Sequence, residues 1–347
     1  LGPPGKKTMQ ADNLDRVQFP ALIGDIGGTN ARFALIAAAD APVVHLPTVH
    51  TANHATIDDA IRATVLADGA LRPKTAILAL AGPIAGEEVP LTNCDWVVVP
   101  RRLISALGFA EGILLNDFEA LSLCLPGLGP GDVEQIGGGA MAPDRARVVV
   151  GPGTGLGAAA LVHSRGSWIP IPGEGGHIDL APMTDTDMAL WPHLEHQDGR
   201  IAGETILCGS GMMRLYRGIC ARDGVATVHG SPAEVTAAAT DGSDPRAAET
   251  VALFTVYLGR LAGNLALVFS AYGGVYLAGG ITEKIAPALR SGAFREAFDN
   301  KYPHRRMMER MATAIITRPY AALAGIADFA RAPERFGVEM GSRWWRG

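Results

Sequence analysis

The chain has 347 residues, 48% hydrophobic and 19% charged, enough for about two domains with buried cores and inconsistent with a mostly disordered protein. Its 30 basic and 35 acidic side chains leave a net charge of −5, which offers no electrostatic attraction to nucleic acid or to an anionic membrane. Four scattered cysteines without a Cys-x-x-Cys pair argue against a disulfide framework and a structural zinc site. No run approaches the ~18 consecutive apolar residues of a membrane-spanning helix, and the N-terminus lacks the apolar core of a signal peptide, so the expected compartment is the cytoplasm.

Residues 1–8 look unlike the rest, Met9 is the expected natural start, and residues 1–20 are read as an extension. Ala21–Ile26 is an apolar run of strand length, Gly27-Gly28-Thr29-Asn30 a glycine turn, and Arg32–Ile36 a return strand. Strand, turn and strand form a hairpin, whereas a dinucleotide-binding unit would place a helix second. Thr75–Leu80 and Ile113–Asp117 are further strands, followed by a helix over Phe118–Leu125 that Pro126-Gly127 stops. Leu128–Arg147, rich in Gly, Pro and Asp, separates two halves. The opening pattern then recurs: a strand from Arg147 to Val150, the turn Gly151-Pro152-Gly153-Thr154-Gly155, and a strand from Leu156 to Val162. Ala247–Tyr272 has the spacing of a long core helix, Gly274–Ala278 is a strand, and Gly279-Gly280 opens a helix over Ile281–Leu289. Ala321–Ala330 is a last helix.

A tight turn between strands aims backbone N–H groups at one side, where they can hold phosphate oxygens, and glycine suits it because positive φ is open and no Cβ blocks the ligand. The alternative is an ordinary hairpin turn, but three glycine sites in one chain weigh against that. In the first turn the Thr29 hydroxyl adds a donor, while Asp25 would repel a phosphate unless a divalent cation lay between them, which points to Mg²⁺ directly or through water. No P-loop motif occurs in context.

The segments Leu22 to Arg32, Leu91-Thr92-Asn93, Asn116-Asp117-Phe118, Gly153-Thr154-Gly155-Leu156-Gly157, Pro172-Gly173-Glu174-Gly175-Gly176-His177 and Leu277-Ala278-Gly279-Gly280-Ile281 resemble, in order, those of bacterial ATP-dependent glucokinases in the actin-like ATPase superfamily. That resemblance implies an α/β protein of two-domain actin-like ATPase (ribonuclease-H-like) fold with a central cleft. It implies a small α/β domain over 21–127 plus 318–347 and a large α/β domain over 128–317. It implies ATP-dependent phosphorylation of glucose at the 6-hydroxyl, a step of glycolysis, with ATP and Mg²⁺ required and a homodimer as the assembly. By the same resemblance Asp117 is the catalytic base and Asn116, Asp117, Glu174, His177 and Glu204 bind the sugar. Asp25, Gly27, Gly28, Thr29, Asn30, Gly153, Thr154 and Gly155 would hold the ATP phosphates or their Mg²⁺, and Gly279 and Gly280 would lie against adenosine. The residues after Asn93, Cys94-Asp95-Trp96, depart from the pattern and carry no implied role.

From position alone Asp117 divides between a base and a helix cap. Glu174 and His177, set among glycines, favour polar contact over packing, and His193 and His196 read as surface residues. Three rivals fit less well. A related kinase of another hexose or acyl-hexosamine, of the repressor–kinase type, would carry a cysteine-rich zinc loop that neither Cys208 nor Cys220 supplies. A non-enzymatic sugar sensor that binds DNA would need a helix-turn-helix module, and only ~20 residues precede the first strand. A chaperone-like ATPase would need a further peptide-binding domain.

Overall fold

The structure, a computed structural model, describes residues 16–67, 71–92 and 94–347; the expected start at Met9 and Asn93 of the Leu91-Thr92-Asn93 motif lie outside the described residues. The chain forms two compact units. The first runs to Cys124 and takes in Arg165–Ile169 and Tyr320–Gly347; the second is Leu125–Ser164 with Pro170–Pro319. Arg165–Ile169, expected with the large domain, therefore groups with the first unit.

In the first unit β1 (Ala21–Ile26) and β2 (Asn30–Ile36) form the expected antiparallel hairpin, extended by β3 (Val43–His45) and β4 (Val49–His50), which both pair with β2. On its other side β1 runs parallel to β5 (Thr75–Leu80). Every residue of β5 is buried, as a continuous apolar strand covered on both faces requires. A two-stranded ladder of β6 (Val89–Pro90) and β7 (Val97–Val98) stands apart, and β5 runs parallel to β8 (Glu111–Asn116). The C-terminal strand Trp344–Arg346, too short and too rich in Trp and Arg to be read from the sequence, lies antiparallel on the outer edge of β8.

The helix after β8 is Asp117–Leu123, followed by a 3₁₀ turn over Leu125–Gly127. The Ala321–Arg331 helix lies against it so closely that a Cβ on Gly325 would sit 2.1 Å from the carbonyl oxygen of Ala120. The close packing of these two helices thus requires glycine at 325.

The second unit repeats the plan. β9 (Val133–Gly137), β10 (Arg147–Pro152), β11 (Leu156–Ser164), β12 (Ser167–Gly173, of which Pro170–Gly173 belong to this unit), β13 (Val275–Leu277) and β14 (Thr313–Ile316) make a sheet in the order β12-β11-β10-β13-β14-β9. β10 is antiparallel to β11 and parallel to β13, just as β1 is to β2 and β5, so the duplication read from two glycine turns is a duplication of topology. β9 lies within the stretch read as a separator: it is an antiparallel edge strand on β14, half-exposed, and its Glu134 pairs with Arg290. Edge strands need little apolar patterning, which is why this one was hidden among Gly and Pro.

The long helix spans Pro245–Phe269, starting under the Asp244 cap and ending at Ser270. It is long and apolar enough to cross a membrane, but most of it is buried in this unit's core. There Asp187 accepts from the Arg260 guanidinium at 2.7 Å and the Tyr257 hydroxyl at 2.9 Å. The single helix expected over Ile281–Leu289 is two, Gly280–Lys284 and Ala286–Arg290, because Pro287 cannot supply the amide that would join them.

Gly325→Ala is expected to lower the unfolding free energy by about 1–3 kcal/mol, since backbone must move to admit one methyl group. Chemical denaturation checks this; a midpoint equal to the parent's would contradict the close approach.

Candidate active site

Each hairpin turn is closed by a backbone hydrogen bond across it, the second turn being one residue tighter. The Gly27 amide donates to the Asn30 carbonyl at 3.0 Å, and the Gly153 amide to the Gly155 carbonyl at 2.8 Å. This leaves the amides of Gly28, Thr29, Thr154 and Gly155 without a hydrogen bond among the described residues, with Thr29 and Thr154 exposed. Unpaired amides on a tight turn are what an anion needs. The expected positive φ is not used in either turn, so these glycines serve by lacking a side chain. Thr51 braces the first turn, its hydroxyl donating to the Gly28 carbonyl at 2.8 Å and its amide to that of Thr29 at 3.0 Å.

Asp25, one residue before the end of β1, lies 3.3 Å from the Arg32 guanidinium across the hairpin. Burial pushes its carboxyl up from the usual carboxylate range, and Arg32 opposes that. Among the described residues no three His, Cys, Asp or Glu side chains converge as a metal cluster. A lone carboxylate beside open amides fits a cation that arrives with a nucleotide, because magnesium is commonly held by one or two carboxylates plus substrate phosphates.

At the end of β8, Asn116 is the helix N-cap. Its Oδ1 accepts from the amides of Phe118 at 3.0 Å and Glu119 at 3.1 Å, and its Nδ2 donates to the Gly82 carbonyl at 3.1 Å. The Glu119 carboxylate reaches back to accept from the Asn116 amide at 3.2 Å, completing a capping box. The cap role weighed for Asp117 thus belongs to Asn116, and one amide hydrogen of Asn116 remains for a ligand. Asp117 is the first helical residue, half-buried, and its Oδ1 accepts from the amide of Phe118 at 2.9 Å. The Asn-x-x-Glu spacing was visible in the sequence and would have found the cap.

The second unit brings Glu174, His177 and Glu204 together. His177 Nε2 lies 3.8 Å from Glu174 Oε2 and 4.0 Å from Glu204 Oε1, with Glu174 and His177 more than half exposed. His177 sits in a 3₁₀ turn over Gly175–His177, and Glu204 in the short helix Gly203–Ile206. The other carboxylate oxygen of Glu204 accepts from the Leu156 amide at 2.7 Å. A Cβ on Gly155 would come within 2.6 Å of that oxygen, so Gly155 makes room for Glu204 as well as shaping the turn. Leu156, Thr51 and Arg32 were not foreseen, the first because backbone amides leave no mark in composition.

Gly279 and Gly280 start the Gly280–Lys284 helix. Here positive φ is real, at 91° for Gly279, and a Cβ there would lie 2.6 Å from the Pro152 carbonyl oxygen. The Ala278 amide donates to the Val150 carbonyl, so this turn and the Gly153–Gly155 turn sit at the ends of adjacent strands. The Gly209–Arg222 helix begins against the same place, its Gly209 amide donating to the Gly153 carbonyl at 2.9 Å.

The chain as a whole is similar to known proteins. The Glucokinase family model matches residues 22–333. A glucokinase from Sinorhizobium fredii is 53% identical over 94% of this chain and 97% of its own. Among solved structures, a glucokinase from an Antarctic psychrotroph is 33% identical with a TM-score of 0.79, covering 90% of this chain and 98% of that one. A ROK family glucokinase from Streptomyces griseus, solved with glucose and AMPPNP, shares the fold at 20% identity and a TM-score of 0.60, covering 90% of this chain and 99% of that one. The fold is that of the actin-like ATPase sugar kinases, and the chain belongs to the glucokinase family.

Proposed function

We propose that the family's reaction, transfer of the ATP γ-phosphoryl group to the 6-hydroxyl of glucose, proceeds here with Asp117 as general base. What supports this reading is the setting of Asp117: it follows a buried strand and an N-cap whose side chain bonds two helix amides and the Gly82 carbonyl, so its backbone is fixed where the chain turns from strand to helix. The attacking hydroxyl loses its proton to the Asp117 carboxylate as the bond to phosphorus forms. The sugar-binding residues of the first unit are Asn116 and Asp117, and those of the second unit are Glu174, His177 and Glu204. A polyol needs such groups because every hydroxyl both donates and accepts, and a sugar missing one would leave a buried partner unpaired.

In the first unit the amides of Gly28 and Thr29, with Asn30 and the flanking Gly27, are suited to phosphate oxygens of ATP; in the second the amides of Thr154 and Gly155, with the flanking Gly153, are suited to them in the same manner, and Gly279 and Gly280 border the adenosine. Asp25 would hold the Mg²⁺ that accompanies ATP, directly or through water, and the cation would supply charge neutralisation at the phosphates. Neutralising the transferred group's charge and aligning it account for most of the rate, as in other phosphoryl transfers. We also assign the reaction to glycolysis, the enzyme to the cytoplasm and the assembly to a homodimer. The net charge of −5, and the burial of the one long apolar helix among the described residues, support a protein that binds neither nucleic acid nor membrane.

Asp117→Asn is expected to lower kcat by about 10²–10⁴-fold while glucose binding stays measurable by calorimetry; near-parent turnover would defeat the base assignment. Gly155→Val is expected to raise the KM for glucose as well as for ATP, because the added side chain collides with Glu204. A change confined to ATP would remove Glu204 from sugar binding. In a coupled assay of ADP release over a panel of hexoses, turnover is expected to require Mg²⁺ at concentrations matching ATP. Activity undiminished in EDTA would exclude the cation's role beside Asp25.

A further inference from the structure

Glu119 has no exposed surface, and the groups around its carboxyl come from two distant parts of the chain. Its Oε2 accepts from the Asn116 amide at 3.2 Å and from Arg343 Nη1 at 2.5 Å. Arg343 is itself buried, 8% exposed, and its Nε donates to the Glu339 carbonyl at 2.8 Å. Its own carbonyl accepts from the Leu114 amide at 3.0 Å, two residues before Asn116 on β8. Arg343 therefore touches the end of β8 twice, once through the backbone and once through Glu119. It lies beyond the stretch matched to the family, which ends at residue 333.

We propose that Arg343, acting through Glu119, is a positioning residue that fixes the Asn116 backbone and so the aim of Asp117. A carboxylate without solvent stays ionised only beside a cation, and burial already pushes the Glu119 carboxyl up against the pull of Arg343. Without the guanidinium, Glu119 either keeps an unpaired buried charge or takes up a proton, and each outcome weakens its hold on the Asn116 amide. Asp117 follows Asn116 directly, so a loosened cap turns the catalytic carboxylate. Displacements of about 1 Å can cost roughly 100-fold in rate.

The inference rests on Asp117 being the base, and the two can fail separately. Arg343→Met in the full chain is expected to lower kcat roughly 10- to 100-fold with the KM for ATP within about twofold of the parent. Adding Glu119→Gln should restore most of the loss, because a neutral amide oxygen still accepts from Asn116 and needs no cation. Trp344→Phe is the comparator: it cuts the bond from Trp344 Nε1 to Glu111 Oε2 at the far end of β8, so it should lower Tm and leave kcat unchanged. Parent kcat in folded Arg343→Met overturns the proposal, as does a loss that Glu119→Gln does not relieve. If Arg343→Met does not fold, Arg343→Lys decides: a single ammonium lacks the fork that serves both Glu119 and the Glu339 carbonyl, so kcat should fall at least about threefold at constant KM for ATP, and parent kcat overturns the proposal. An inactive Asp117→Asn beside a fully active Arg343→Met defeats this inference alone; an active Asp117→Asn defeats the base assignment.

Discussion

The second unit's site is assembled around one bond, from the Leu156 amide to the Glu204 carboxylate. Bonds to an ionised acceptor are roughly twice as strong as neutral ones, and this one joins two pieces of chain 48 residues apart. Through it the turn at Gly153–Gly155 and the group at Glu174 and His177 share a side chain. Glycine at 155 is the condition for that sharing. The Gly203 amide, bonded to the Ile178 carbonyl, and the close passage of Gly176 over the Leu156 carbonyl hold the same three segments in register.

The first unit reaches a comparable rigidity by local means. Asn116 spends its side chain on two amides of the helix it caps and on the Gly82 carbonyl, each bond contributing about 1 kcal/mol net. A residue so committed to structure offers a sugar little more than a single donor, so much of the hydrogen bonding to a ligand must come from carboxylates. The two units thus use different designs: a residue tied into the backbone in one, and an exposed and a half-buried acid around a histidine in the other.

How much of this was legible follows from what each segment owes to its own residues. Ala21–Ile26 and Thr75–Leu80 were read to the residue because buried central strands write their burial as unbroken apolar runs. The duplicated hairpins were visible because glycine turns punctuate them. The edge strand Val133–Gly137 and the C-terminal strand Trp344–Arg346 were missed, since an edge position asks little of composition and is set by its partner. Within the site, residue types in unusual settings, such as Glu174 among glycines, stood out. The brace at Thr51, the Arg32 partner of Asp25 and the Leu156 amide did not, because each acts through a contact that only the folded chain brings about.

The division of the chain also bears on how it is made. The second unit draws almost wholly on one span, Leu125 to Pro319, whereas the first draws on both ends of the chain. On the ribosome the second unit can finish while the first still lacks Tyr320–Gly347, including the strand that covers the outer edge of β8. Throughout that interval the strand leading to Asp117 has a bare flank, open to pairing with a neighbouring nascent chain. Slow synthesis or crowded polysomes would therefore tax the yield of this protein more than its equilibrium stability suggests.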